Sequence, residues 1–176
     1  VTCIVGLSHK GRVFMGADSA GVAGLDLTVR ADQKIFTNGP FLMGFTSSFR
    51  MGQLLRYALS PPKRYDKEVM TFMCTDFVDA TRNCLKSGGF ASKNLEKESG
   101  GQFLVGYEGR VFAVFDDYQV AESVAGYDAV GSGESYAKGV LFATSGKPPE
   151  ARIKLALRAA EQHSAGVRSP FCVLSQ

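Results

Sequence analysis

Val1-Thr2-Cys3-Ile4-Val5-Gly6 (VTCIVG, residues 1–6) opens the chain, and the reading of its second residue decides the fold. Thr2 is either a β-branched residue suited to the start of a pleated strand or the reactive end of an enzyme. Residues 2–8 (TCIVGLS) read as one strand and 12–18 (RVFMGAD) as a second, and the turn His9-Lys10-Gly11 between them predicts a hairpin. In that hairpin Thr2 lies nearly opposite Asp18, so a hydroxyl at the start of one strand meets a carboxylate at the end of the next. Lys34 opens a third strand over 34–37 (KIFT), and a fourth covers 41–45 (FLMGF) after a turn at Asn38-Gly39-Pro40. Thr2, Asp18 and Lys34 converge if the third strand returns to the same end of the sheet. A surface ion pair, or simple turn positions, is the alternative reading of Asp18 and Lys34.

The pattern then changes period. Ser47-Ser48 offer N-caps for a helix over 50–59, which Pro61-Pro62 ends. Over 67–86, Val69, Phe72, Met73, Phe77, Ala80 and Cys84 recur at three- and four-residue steps and predict a longer helix with one core-facing stripe. Residues 87–101, rich in Gly, Ser, Lys and Glu, read as an exposed connection. Strands resume at 102–107, 110–115 and 118–124, with turns at Glu108-Gly109 and Asp116-Asp117. Gly131-Ser132-Gly133 opens a helix over 134–145, Pro148-Pro149-Glu150 opens another that runs to 163, and a last strand covers 170–174. Strands and helices come in blocks, which argues against a parallel βαβ sheet and for an α+β fold of two antiparallel sheets, each covered by a helix pair. The chain reads as one domain over 1–176, with no internal repeat.

Composition narrows the function classes. A hydrophobic share of 45% and a charged share of 21% are ordinary globular values, and 176 residues suffice to bury about two thirds of the unfolded surface. The net charge of +3 comes from scattered basic residues (Lys63-Arg64, Lys93, Lys97, Arg152, Lys154) without aromatic interleaving, so no nucleic-acid partner is expected. Apolar runs are too short to span a bilayer and no signal peptide is seen, so neither a membrane partner nor export is expected. Cys3, Cys74, Cys84 and Cys172 are far apart and read as buried free thiols, which suits a reducing cytoplasm. His9 and His163 stand alone, and no metal or cofactor is expected.

Thr2 becomes chemically active if it carries a free α-amino group. A threonine hydroxyl needs a base, and an α-amine of reference pKa about 8 can take its proton. A lysine beside the hydroxyl stabilises negative charge on Oγ, and an aspartate holds that lysine. GSGESYA at 131–137 lacks the lysine of a phosphate-binding loop, so it reads as a tight turn that positions Ser132.

Together, VTCIVGL, KGRVFMGADSAGVAG, Lys34-Ile35-Phe36, MGF at 43–45 and AVGSGESYAKGVL resemble the proteasome β-type family, which includes the HslV peptidase and its bacterial homologues. The resemblance runs from residue 2 to about 163. Its most specific parts are ADS with the following Gly24, the lysine sixteen residues after Asp18, and GSGxxYA. It implies the four-layer αββα sandwich of N-terminal nucleophile (Ntn) hydrolases, with Thr2 as nucleophile, Asp18 and Lys34 beside it, and Ser132 completing the polar network. It also implies Gly44 as the oxyanion donor. Substrate backbone would pair near Ala20, Gly21, Val22, Phe45 and Thr46, and a side-chain pocket would draw on Asp32, Phe36, Leu42, Thr46 and Arg50.

The activity implied is that of a cytoplasmic threonine endopeptidase, cutting unfolded polypeptide inside a homo-oligomeric ring or double ring, with an ATPase unfoldase as partner. Two departures stand against the family pattern. Gln162 and Ala165 occupy positions where an aspartate and a serine usually support the amine, with Ser164 one step away. Val1 precedes the nucleophile, and an acylated Thr2 nitrogen cannot act as a base; a valine read from an alternative start codon would be translated as a removable Met. The alternatives are an inactive structural ring subunit and an Ntn amidase acting on a small amide.

Overall fold

Both faces of the first hairpin are apolar, and a hairpin with two apolar faces must be covered on both sides. The computed structural model describes residues 1–95 and 97–176. In chain order it contains β1 (Ile4–His9), β2 (Arg12–Ala17), β3 (Ala20–Ala23), β4 (Asp26–Val29), β5 (Ile35–Asn38), β6 (Phe41–Phe45) and α1 (Phe49–Tyr57). Next, α2 (Val69–Phe72) runs through a π-helical stretch, Met73–Phe77, into α3 (Val78–Ser87). Then come β7 (Ser92–Asn94), β8 (Lys97–Ser99), β9 (Phe103–Tyr107), β10 (Arg110–Val114), β11 (Val120–Glu122) and β12 (Tyr127–Val130). The helices α4 (Glu134–Ala143) and α5 (Pro149–His163) and the strand β13 (Cys172–Ser175) close the chain.

These elements form the expected four-layer αββα sandwich. One antiparallel sheet has the order β12-β1-β2-β13 and the other β11-β10-β9-β6-β5. Ile4, Met15, Ala17 and Val130 of the first sheet meet Ile35, Leu42, Leu104 and Val111 of the second, which makes the inter-sheet core. The alternate residues Cys3, Val5, Leu7 and Phe14 face α4 and α5 through Ala137, Leu141, Ile153, Leu157 and Ala160. Phe41, Met43 and Phe45 of β6 face the other helix layer, where Phe72, Met73, Phe77 and Leu85 pack. Among the described residues no helix is long and apolar enough to cross a membrane.

Several elements differ from expectation, each for a local reason. The predicted strand 118–124 is shorter, β11 alone, and a further strand that was not expected, β12, follows it on the other sheet. β11 pairs with β10, a turn closed by Gly126 N–H on Ser123 O (3.0 Å) redirects the chain, and β12 pairs with β1. The β3–β4 hairpin was not expected, because its sequence is short and exposed; Gly24, at φ +61°, supplies the turn. The connection 87–101 carries the small β7–β8 hairpin. The π-helical turn re-aims the second helix, so Thr81 and Leu85 are fully buried while Ala80 and Cys84 are only partly covered. Cys74 is exposed rather than buried, since Phe72, Met73 and Phe77 take the inward face of that turn.

β6 pairs with β5 and β9 so that Gly44 opposes Ile35 on one side and Leu104 on the other. A Cβ on Gly44 would lie 2.5 Å from Ile4 Cγ2, 2.8 Å from Met15 Sδ and 2.9 Å from Ile35 Cγ2. Overpacking of that kind costs about 1–3 kcal/mol. Gly44→Ala is therefore expected to lower the urea midpoint with an unchanged m-value; a midpoint equal to wild type would show that the inter-sheet core yields there.

Candidate active site

The hairpin register brings Thr2 and Asp18 to one edge of the first sheet. Ile4 opposes Ala17, and just beyond that pair the Asp18 N–H donates to Cys3 O at 3.3 Å. The Asp18 carboxylate turns inward, where Oδ1 accepts the Cys3 N–H at 3.0 Å and Oδ2 accepts the N–H groups of Ala20 (2.8 Å) and Arg168 (3.3 Å). Lys34 stands one residue before β5 and is held there by the Phe45 N–H, which donates to its carbonyl at 3.0 Å. Its Nζ donates to Thr2 Oγ1 and to Asp18 Oδ1, both at 2.9 Å. Thr2, Asp18 and Lys34 are all buried, with the Lys34 and Asp18 side chains 1% and 0% exposed. The alternative of a surface ion pair is thereby excluded.

A second group of contacts holds the main chain of Thr2. Its N–H donates to Ser132 Oγ at 3.2 Å, and the Gly133 N–H donates to its carbonyl at 3.2 Å. Gly131 sits at φ +99°, and a Cβ there would come within 2.3 Å of Thr2 O, so the Gly-Ser-Gly turn requires glycine at its first position. Ser132 Oγ lies 3.0 Å from Ser164 Oγ, on the residue that follows α5. Gln162 and Ala165 both face solvent, so Ser164 occupies the spot beside Ser132.

A cleft opens over Thr2 and is lined by Ala20, Val22, Phe45, Thr46, Ser47, Ser48, Phe49 and Val1. Val22 and Thr46 stand in this lining, and Gly21 lies between Ala20 and Val22 in β3. Gly44 does not reach the cleft. Its α-carbon faces the inter-sheet core, and along β6 the N–H of Phe45 points to β5 while that of Thr46 donates to Gln102 O (3.1 Å). By that alternation the Gly44 N–H points to β9 and is spent in the ladder.

The residues expected to form the side-chain pocket are scattered, Leu42 by the same alternation and the others by their own elements. Leu42 is fully buried between the sheets, and Phe36 is buried under α1 with the Arg56 guanidinium 4.6 Å from its ring centre. Arg50 is exposed and reaches Gly88 O at 3.3 Å, towards the end of α3. Asp32 lines a neighbouring pocket that shares Phe45 and Phe49 with the Thr2 cleft.

Ser47 and Ser48 are the expected helix caps, and Ser48 caps α1 by accepting the Arg50 N–H (3.1 Å); the loop Thr46-Ser47-Ser48 has a second part to play. It is also the floor of the cleft. Ser47 sits at φ +65°, uncommon for serine, and its hydroxyl accepts the Gln102 N–H at 3.0 Å, which fixes that turn. The Thr46 and Ser48 N–H groups are both engaged, on Gln102 O and on Thr46 O. The sequence signal was the Ser-Ser pair between strand and helix.

Burial sets the local electrostatics. It pushes the Lys34 ammonium below its ordinary value, while Asp18 opposes the shift. Burial, and then the Asp18 charge, push the Cys3 thiol from 9.0 up to about 12. A raised thiol pKa favours the folded state below pH 9, and that contribution disappears as the pH climbs from 9 towards 12. Native protein is expected to react quickly with a thiol reagent at Cys74 and only on unfolding at Cys3; rapid native labelling of Cys3 would contradict its burial.

No family model and no curated protein sequence matches this chain. Solved structures do match. The chain is similar to Thiobacillus denitrificans BPH in complex with epoxomicin, at 21% identity and a TM-score of 0.80, over 99% of this chain and 98% of that one. It is similar to the eukaryotic HslV from Trypanosoma brucei at 16% identity and a TM-score of 0.69, covering 99% and 98% of the two chains. Anbu, the ancestral β-subunit from Yersinia bercovieri, matches at 15% identity and a TM-score of 0.67, covering 99% and 81%. At these identities the likeness is one of fold: the chain has the proteasome- and HslV-type Ntn-hydrolase fold.

The buried pair carries a stability consequence. Removing one partner of a buried ion pair costs about 3–5 kcal/mol, because the other charge is left unpaired. Asp18→Ala also orphans the three backbone N–H groups it satisfies, whereas Lys34→Met leaves Asp18 with those donors. Asp18→Ala is expected to be the more destabilising by denaturant titration, and the reverse order would show that the backbone donors do not depend on the carboxylate.

Proposed function

We propose that the chain is a threonine peptidase whose nucleophile is Thr2 Oγ. The observation that carries this reading is the Lys34 ammonium, buried and 2.9 Å from both Thr2 Oγ1 and Asp18 Oδ1. A buried cation that donates to a hydroxyl stabilises the alkoxide more than the alcohol, which lowers the cost of attack. The base is the Thr2 nitrogen. While Val1 is attached, that nitrogen is an amide without a basic lone pair; loss of residue 1 leaves a primary amine on the same spot, beside Ser132 Oγ.

Thr2 Oγ then attacks the carbonyl carbon of a bound peptide, and its proton passes to the amine directly or through one water. The tetrahedral oxyanion is held by the Ser47 N–H, which lies in the cleft floor between two engaged donors and takes the role first expected of Gly44. As the C–N bond breaks, the amine returns the proton to the leaving nitrogen. Water then hydrolyses the acyl ester and regenerates Thr2. Ser132, supported by Ser164 in place of a carboxylate, orients the amine through a hydroxyl pair.

Ala20, Gly21 and Val22 on one side and Thr46 on the other border the cleft, and we take them as the edges that a substrate strand would pair with. The substrate is unfolded polypeptide. The likeness to an HslV and to an ancestral β-subunit supports assembly with further copies of this chain, with an ATPase unfoldase as the feeding partner and the cytoplasm as the place of action.

Protein prepared with Thr2 as the first residue is expected to cleave members of a fluorogenic peptide panel, with Thr2→Ala lower by about 10³-fold or more in kcat. Protein that retains Val1 by intact mass is expected to be inactive. Epoxomicin, the ligand of the Thiobacillus BPH structure, is expected to raise the melting temperature of the Thr2-first form. Thr2-independent turnover would point to another nucleophile, and no turnover of any peptide would favour the structural-subunit reading.

A further inference from the structure

Arg30 follows β4 and closes the base of the β3–β4 hairpin, its N–H donating to Ser19 O at 2.8 Å. Its side chain runs back across β3. A Cβ on Gly21 would come within 2.6 Å of Arg30 Cδ, so the missing side chain at Gly21 is what lets the arginine pack against β3 there. The guanidinium carbon stands 3.9 Å from the centre of the Phe49 ring, and Nε and Nη2 donate to the two oxygens of Asp32 at 2.6 and 2.7 Å. Phe49 is a wall of both the Thr2 cleft and the adjoining pocket.

The charges around that shared wall are unbalanced. Arg30 lies over Phe49, Lys34 Nζ is 5.8 Å from the same ring, and Arg56 lines the adjoining pocket together with Asp32. Asp18 is committed to Lys34 and three backbone donors. Asp32 engages two of the five guanidinium donors of Arg30, which leaves three for another acceptor. A cation stacked on an aromatic face and fixed by a bidentate partner is preorganised to receive a second carboxylate.

We propose that Arg30 is a specificity-determining residue that favours peptides with Asp or Glu on the acyl side of the bond attacked by Thr2. This rests on the peptidase reading above. Phe49 walls the pocket, Arg30 is held against its ring within reach of a side chain bound there, and Asp32 fixes the arginine while competing with the substrate carboxylate.

The test compares kcat/KM for peptide pairs that differ only in Glu against Gln before the fluorophore, using the Thr2-first form. One charge-assisted hydrogen bond predicts a Glu preference of about tenfold in the wild type. Arg30→Gln is expected to bring the Glu-to-Gln ratio close to one, mainly through KM. Arg30→Lys, which keeps the charge and loses the fork, is expected to retain part of it, and Asp32→Asn to raise it. Circular dichroism of each variant separates misfolding from altered choice. Thr2-dependent turnover with a ratio that Arg30→Gln does not move, or a preference for Lys over Glu, overturns the inference and leaves the peptidase reading intact. Loss of all Thr2-dependent turnover in the wild type removes both.

Discussion

The Lys34 ammonium and the Asp18 carboxylate stand 2.9 Å apart with neither side chain meeting water. Removing two ions from water costs several kcal/mol each, and their mutual attraction offsets that only when the remaining donors and acceptors are also satisfied. Asp18 meets this demand with the backbone N–H groups of Cys3, Ala20 and Arg168, and Lys34 with Thr2 Oγ1. Segments about 150 residues apart in sequence are thus tied to one carboxylate. The same bonds that make the buried charges tolerable also fix the hydroxyl against the cation. Stability and chemistry are inseparable at this point, and burial has already moved the lysine towards its neutral form.

That constraint depends on the layers around it. β1 and β2 carry apolar residues on both faces, so the first sheet is packed on one side by the second sheet and on the other by α4 and α5. Thr2 is the residue where this doubly covered strand emerges; Thr46–Ser48 from β6 and Gly131–Gly133 before α4 meet it there, and the stretch that follows α5 reaches its neighbours Ser132 and Asp18. Backbone geometry decides who can serve. Gly131 is needed for its positive φ beside Thr2 O, and Ser47 adopts a positive φ that its own hydroxyl bond to Gln102 holds in place. Arg30 belongs to the same logic, lying on Phe49 because Gly21 leaves it room.

Much of this was legible in the chain, unevenly. The first hairpin, the block order of strands and helices and the spacing of Thr2, Asp18 and Lys34 gave the architecture and the charged centre, because strand period and turn chemistry are local properties. The misreadings concern residues whose role depends on which way a strand faces. Leu42 and Gly44 were expected at the cleft, yet period-two alternation along β6 sends both between the sheets and leaves Phe45 and Thr46 to reach it. Phe36 is buried under α1, and Arg50, on that helix rather than on a strand, turns towards α3. Strand β12 was missed because a four-residue run after a sheet-switching turn has too little pattern to announce itself.

By itself the sequence determined what is local or repeated: two apolar faces on the opening hairpin, a helical stripe, glycine at sharp turns, and a hydroxyl, carboxylate and lysine at fixed separations. Only the tertiary structure decided which groups are buried together, which backbone N–H groups are already engaged, and that Ser164 rather than Gln162 or Ala165 stands beside Ser132. The physical reason is that desolvation and hydrogen-bond satisfaction are properties of neighbours distant in the chain. Spacing can bring a residue to the right strand end, but the second sheet and the loops around it settle whether a charge there is a solvated surface group or the dry centre of a site.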